Sequence, residues 1–190
     1  MSKLVQGVGI NDADYTVQHL LNGKVVFCPF YRTWLNMLHR CYCPKFLSRN
    51  PTYLGCTVIS EWLTFSSFRA WMVKQDWVGK HLDKDILISG NKIYSPETCV
   101  FIDSGINKFL VDRSLHRGEW PLGVYFEPRT NKFRACCKNP FTKKNVKLGR
   151  FTSPEQAHEA WKQRKHELAC QLAEQQSDKR VAEALRTRYL

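Results

Sequence analysis

Apolar and polar residues alternate in two different rhythms along this chain. From Pro29 the period is helical: Tyr31, Trp34, Leu35 and Leu38 fall on one stripe, so a helix is predicted there, after a short strand at Val25-Val26-Phe27. Pro44 to Pro51 reads as a polar loop, Tyr53 to Ile59 as a strand, and Ser60 to Trp71 as a second helix with Trp62, Phe65, Phe68 and Trp71 on its apolar side. The pattern then shortens. Leu82 to Ile88 predicts a strand, Ser89-Gly90-Asn91 a turn, Tyr94-Ser95-Pro96-Glu97 a loop, Cys99 to Ile102 a second strand, and a helix starts near Ser104.

A polar stretch with a glycine, Asp112 to Glu119, reads as a linker. Beyond it Leu122 to Phe126, Lys132 to Lys138 and Asn145 to Leu148 predict three short strands joined by Pro128–Asn131 and Asn139-Pro140 turns. Ser153 suits a helix N-cap, with Pro154 at the first helical position and Gln156 three residues after the cap. Ala157, Ala160, Trp161, Arg164 and Leu168 share a stripe whose alanines let that helix sit close on the sheet. Ser177 is the expected cap of a last helix holding Val181, Ala184, Leu185 and Tyr189. The predicted class is α+β.

The 190 residues carry a formal charge of +12, which suits a polyanionic partner. Residues 1–116 hold 13 Lys and Arg against 9 Asp and Glu, and residues 117–190 hold 16 against 8, so the excess is concentrated in the second part. No long uncharged apolar run is present to span a membrane. The start, MSKLVQGVGINDADY, places acids where a signal peptide needs its apolar centre, and the expected location is cytoplasmic. Gly7-Val8-Gly9 lacks the flanks of a phosphate-binding loop, and no serine nucleophile elbow appears. A basic surface alone does not separate DNA from RNA.

Strand alternation places His81, Asp83 and Asp85 on one predicted face and Lys84 on the other. A hairpin feeding a helix can return Asn107 over that face, and two oxygen ligands with room for water is how a hard cation such as Mg²⁺ is held. At these residues the chain resembles the ββα-metal (HNH) nuclease finger of phage-type homing endonucleases. The resemblance rests on Asp83, the loop GNKIYSPETC, and Asn107 nine residues after Thr98, with TWLNMLHRCY and YLGCTVISEWLTFSSFRAW upstream. It implies Mg²⁺ (or Mn²⁺) on Asp83 and Asn107, and a base near that strand. Lys84 stands where relatives often carry the base His, which leaves His81 or Asp85 as candidates, and Lys84 or Lys92 to hold phosphate. For a phage-encoded protein the location becomes the host-cell cytoplasm.

The later segment GVYF…KFRACCK…VKLGRFTSPEQAHEAW resembles the ethylene-response-factor (APETALA-type) DNA-binding domain, in which a three-stranded antiparallel sheet packed on one helix enters the major groove. The matching exposed positions are Tyr125, Arg129, Lys132, Arg134, Lys138, Asn145 and Lys147, with Val124, Ala135, Cys137, Val146 and Leu148 on the helix side. Where relatives use Arg and Trp, this chain has Tyr125, Glu127, Asn145 and Lys147.

These readings predict a nuclease-like domain at 1–116, a sheet domain at 117–175 and a terminal helix at 176–190. The expected partner is double-stranded DNA, with no small-molecule substrate, and the expected state a monomer. The expected function is metal-dependent DNA cleavage; the alternative is a non-cleaving DNA-binding protein that keeps the finger as a scaffold. Arg32, His39 and Arg40 can touch phosphate or merely solvate their helix. Cys41, Cys43, Cys56 and Cys99 are candidate ligands of a structural zinc, against the reading of cysteine as a small buried apolar residue.

Overall fold

The computed structural model describes residues 4–111 and 119–190. The chain divides into two compact units, residues 1–102 and 103–190. The predicted linker lies outside the described residues, apart from Glu119.

The first unit is built around aromatic rings. A hairpin of β1 (Gln18–Leu21) and β2 (Lys24–Phe27) leads into α1 (Pro29–Tyr42), which buries Tyr31, Trp34, Met37, Leu38 and Cys41. Trp34 is fully buried, and its indole N–H donates to the Trp62 carbonyl at 2.7 Å, so the one polar atom of a large apolar side chain is satisfied. Gly9 has to be glycine for steric reasons: a Cβ there would meet the Trp34 ring at 2.9 Å and run into Leu38.

Several short elements differ from the predicted pattern. The expected loop after Pro44 is helix α2 (Pro44–Arg49), started by proline at its first position and closed by Asn50 Nδ2 donating to the Phe46 carbonyl. The strand expected over Tyr53 to Ile59 shrinks to β3 (Thr57–Val58), because Pro51–Tyr53 winds into a 3₁₀ turn. The second helix is split. Ser60–Leu63 is a 3₁₀ turn and α3 spans Phe65–Met72, with Thr64 pulled extended between them by a bridge to Ile10. Next come β4 (His81–Asp83), β5 (Ile93–Tyr94) and β6 (Val100–Ile102); β4 pairs antiparallel with β6, and β5 parallel with β3.

The second unit begins with α4 (Ser104–Leu110) and contains an antiparallel sheet of β7 (Val124–Glu127), β8 (Lys132–Lys138) and β9 (Asn145–Phe151) in that order. The third strand runs three residues beyond its predicted end. Helix α5 (Pro154–Glu174) packs on all three strands, and the predicted cap is present: Ser153 Oγ accepts from Gln156 N. Ala135 and Ala157 are fully buried where sheet and helix meet. Gly123, at φ +77°, passes so close to Trp161 that a Cβ would overlap the indole. Helix α6 (Lys179–Thr187) lies on α5, and its cap is Asp178 rather than Ser177.

Lys165 of α5, which is not among the stripe residues predicted for this helix, is buried. Its ammonium donates to the Phe109 carbonyl in the last turn of α4, lies 3.3 Å from the centre of the Phe109 ring and 5.0 Å from that of Tyr189. Burial lowers its pKa to about 8. The folded value lies below the unfolded one, so between about pH 8 and 10.5 the unfolded chain holds the extra proton, and stability rises with pH across that window. Urea unfolding of wild type and Lys165→Met at pH 7 to 10.5 measures this: wild type should gain on the variant by up to about 3 kcal/mol. A pH-independent difference would refute the assignment.

Candidate functional site

On β4 the side chains alternate as the sequence suggests. Leu82 is buried towards the aromatic core, while His81 is exposed and Asp83 half-buried on the other face. The strand ends at Asp83, five residues short of its predicted end, for a local reason. Asp83 Oδ1 accepts from Asp85 N and Ile86 N, both at 2.8 Å, so the carboxylate turns the chain back on itself. Asp85 therefore leaves the strand and its face.

Lys84 is drawn inward. It is 5% exposed, and its ammonium donates to both oxygens of Asp85 at 2.7 and 2.8 Å and to the Asn91 carbonyl at 2.7 Å, near the rings of Tyr53 and Tyr94. Burial works to lower its pKa, but the Asp85 carboxylate outweighs burial and holds the ammonium protonated above its usual range. Asn91 completes the lock by donating to the Lys84 and Ile93 carbonyls. Thr98 Oγ1 also donates to Ile93 O, at 2.7 Å. The motif GNKIYSPETC thus closes on itself through hydrogen bonds. Lys92, the other predicted phosphate holder, donates to the Thr52 carbonyl at 2.6 Å. Lys84 is thus fully engaged, whereas the exposed Lys92 has one of its three donors on a carbonyl.

Asp83 has its pKa raised, burial outweighing the two amides that pull it down. Both amides reach Oδ1, leaving Oδ2 without a hydrogen bond among the described residues. One open carboxylate oxygen beside an exposed imidazole fits a hard cation that keeps most of its water. Asn107 is half-buried on α4, in the second unit.

The cysteines do not assemble into a zinc site. Among the described residues no three or more His, Cys, Asp or Glu side chains are grouped to hold a metal. Cys41, Cys56 and Cys99 are buried in the aromatic core, and burial pushes the Cys41 and Cys99 thiols up to about 12, so they stay protonated. Cys43 is spent at the junction of α1 and α2.

In the second unit, strand register sets Tyr125, Arg134 and Arg150 side by side, then Glu127 opposite Lys132, Cys136 opposite Lys147 and Lys138 opposite Asn145. Directly opposed residues share a face, and this one lies opposite the face carrying Val124, Ala135 and Cys137, which are buried against α5. Of the seven expected contact residues, six lie on it; Arg129 sits in the β7–β8 turn. Val146, expected on the helix side, is 36% exposed. Arg150 lies beyond the predicted strand end, and a register shift between Ala135 and Cys136 brings it onto the face of Lys147. Glu127 ties Arg134 Nη1 at 2.9 Å and Arg150 Nε at 2.5 Å, which holds its carboxyl below the usual range. Arg134, Lys147 and Arg150 border a shallow hollow over Gly149.

Removing the buried Lys84 should cost more than removing the exposed Lys92. Lys84→Ala leaves the Asn91 carbonyl and Asp85 without their partner, an expected loss of about 2–4 kcal/mol; Lys92→Ala should stay within about 1 kcal/mol. Chemical denaturation of both variants checks the order, and equal losses would sink the lock. Compared with known protein families, curated proteins and solved structures, the chain has no match.

Proposed function

We propose that this protein is a metal-dependent DNA endonuclease of the HNH type whose second unit binds the target through the outer face of its sheet. The observation that carries the reading is on β4. His81 and Asp83 share a face, Asp83 keeps one carboxylate oxygen open, and the GNKIYSPETC loop is folded tightly behind them.

In this reading Asp83 would be a ligand of Mg²⁺ or Mn²⁺; Asn107 lies in the second unit, and its ligand role rests on the resemblance alone. When bound, such an ion would supply positive charge for the leaving 3′ oxygen. His81, exposed two residues before Asp83, takes the proton of the attacking water. Asp85 is unsuited to that task because both its oxygens accept from Lys84. The basic outer sheet adds affinity through phosphate contacts.

One observation favours the alternative, a DNA-binding protein that keeps the finger as a scaffold. Asp83 already serves its own turn, and Lys84 is committed to Asp85. Incubation of supercoiled DNA with Mg²⁺ or Mn²⁺ separates the two. Wild type should nick, Asp83→Ala should fall to background, and His81→Ala should lose about 10²–10⁴-fold. Binding without metal-dependent nicking by wild type would decide for the scaffold.

The sheet has its own test. Lys147→Ala should weaken binding uniformly across DNA sequences and reduce the slope of log affinity against log salt by about 0.9, the value of one phosphate contact. An unchanged slope would take Lys147 off the interface.

A further inference from the structure

Beside β4 the first unit holds a small polar cleft of about 110 Å³. Its helical wall is Thr33, Asn36 and Arg40 of α1, at the i, i+3 and i+7 spacing that puts residues on one helix face; Lys80 and His81 form the facing wall. The floor is the buried apolar pair Met37 and Leu82. A water occupies about 30 Å³ of liquid, so the cleft takes a few waters or one tetrahedral anion and is too small for a nucleobase.

The groups around it are cationic or donate hydrogen bonds. Lys80 is held at the rim by Asp76. Arg40 is half-buried, its guanidinium meets the Tyr94 hydroxyl, and the Asp83 charge acts on it from beyond ion-pair distance, so among the described residues it has no carboxylate in direct contact. Buried charges are ordinarily paired, and a guanidinium offers five donors in a planar fork that matches an oxyanion. Asn36 and His81 are exposed at the same opening.

We infer that this cleft is an oxyanion site whose ligand is a backbone phosphate of DNA, held by Arg40 with Asn36 and His81. The inference deepens the proposed nuclease reading and rests on it for the identity of the ligand. It assigns to Arg40 the role that Lys84 and Lys92, turned to Asp85 and to main-chain carbonyls, do not fill. His81 then stands at the junction of the anion cleft and the Asp83 face, where a bound phosphate and an attacking water would meet.

The test uses the full chain without divalent metal, so it does not depend on cleavage. Inorganic phosphate, and separately a short DNA duplex, are titrated while the nuclear magnetic resonance signals of the His81 ring and the Asn36 side-chain amide are followed. Both ligands should move these signals, and the duplex should displace phosphate. Arg40→Gln should weaken phosphate binding by about 10-fold or more, about 1.4 kcal/mol, and Arg40→Lys should recover part of it. Asn36→Asp, at an exposed position that folding does not need, should weaken binding similarly by placing a carboxylate in the cleft. Signals unmoved by phosphate, or equal binding by wild type and Asn36→Asp, would overturn the site; phosphate binding that the duplex does not displace would overturn its assignment to DNA. Phosphate and duplex binding as expected, together with no metal-dependent nicking, would leave the cleft standing and remove the nuclease reading instead.

Discussion

One ammonium group fixes the geometry of the candidate site. Lys84 Nζ is sealed beneath the loop that follows β4, and it is tolerated there because the two Asp85 oxygens and the Asn91 carbonyl surround it. Asn91 answers by donating to the Lys84 carbonyl, so residues seven apart are tied in both directions. With that loop closed, Asp83 can turn the chain with one oxygen and keep the other open. Of the charged residues in this stretch, the buried Lys84 pairs with the partly exposed Asp85, while His81 and Asp83 share the other face of β4. Swapping the roles of the two acids would require Lys84 to leave its pocket.

Much of this architecture was legible in the sequence, and the reasons for the exceptions are local. Helix α1 was readable because its apolar stripe has a full 14 residues in which to repeat. The split of the second helix was not, because the cause is a backbone bridge to Ile10, 54 positions before Thr64, and such a pairing leaves no local trace. The candidate strand was read too long because Leu82, Ile86 and Ile88 continue an alternation that the Asp83 side chain interrupts. Alternation correctly put His81 and Asp83 together; past the turn it misplaced Asp85. The burial of Lys84 was not legible, because a lysine in a sequence carries no mark of whether its stem crosses an apolar wall to three acceptors.

The sheet shows the complementary case. On β7 and β8 a two-residue period separated the basic face from the α5 face, but a register shift between Ala135 and Cys136 breaks that period on β9, so Lys147 and Arg150 share the outer face although they are three residues apart. Pattern could not supply the pairing across strands. Glu127 reads as a lone acid on a cationic face, yet register brings it to Arg134 and Arg150 together. A phosphate approaching those two arginines would compete with a carboxylate already in place, whereas Lys132, Lys138 and Lys147 are in no ion pair among the described residues. Electrostatic attraction on this face is therefore uneven: strong toward the lysines, damped at the arginines. Sequence selectivity, if it resides anywhere on this sheet, has reason to lie where Glu127 must yield, because that exchange depends on what replaces it.

Arg40 bears on the choice between a nuclease and a scaffold. Arg40 is a half-buried guanidinium on α1 that meets the Tyr94 hydroxyl and feels the Asp83 charge, yet among the described residues no carboxylate stands at ion-pair distance, and an apolar residue at the head of that cleft is easier to bury. Sites that depart from the most stable arrangement are those where function sets the residue. The neighbouring departures point the same way. Asp83 is an acid whose burial raises its pKa, and His81 is an imidazole left exposed at the edge of a strand. Three groups stand around one end of β4: a half-buried guanidinium, a carboxylate that turns the chain with one oxygen and leaves the other open, and an exposed imidazole. In the proposed reading they serve as a cation for an anion, a ligand for a metal and a base for water. Together they are the parts that phosphodiester hydrolysis requires, and that concurrence favours the enzyme over the scaffold.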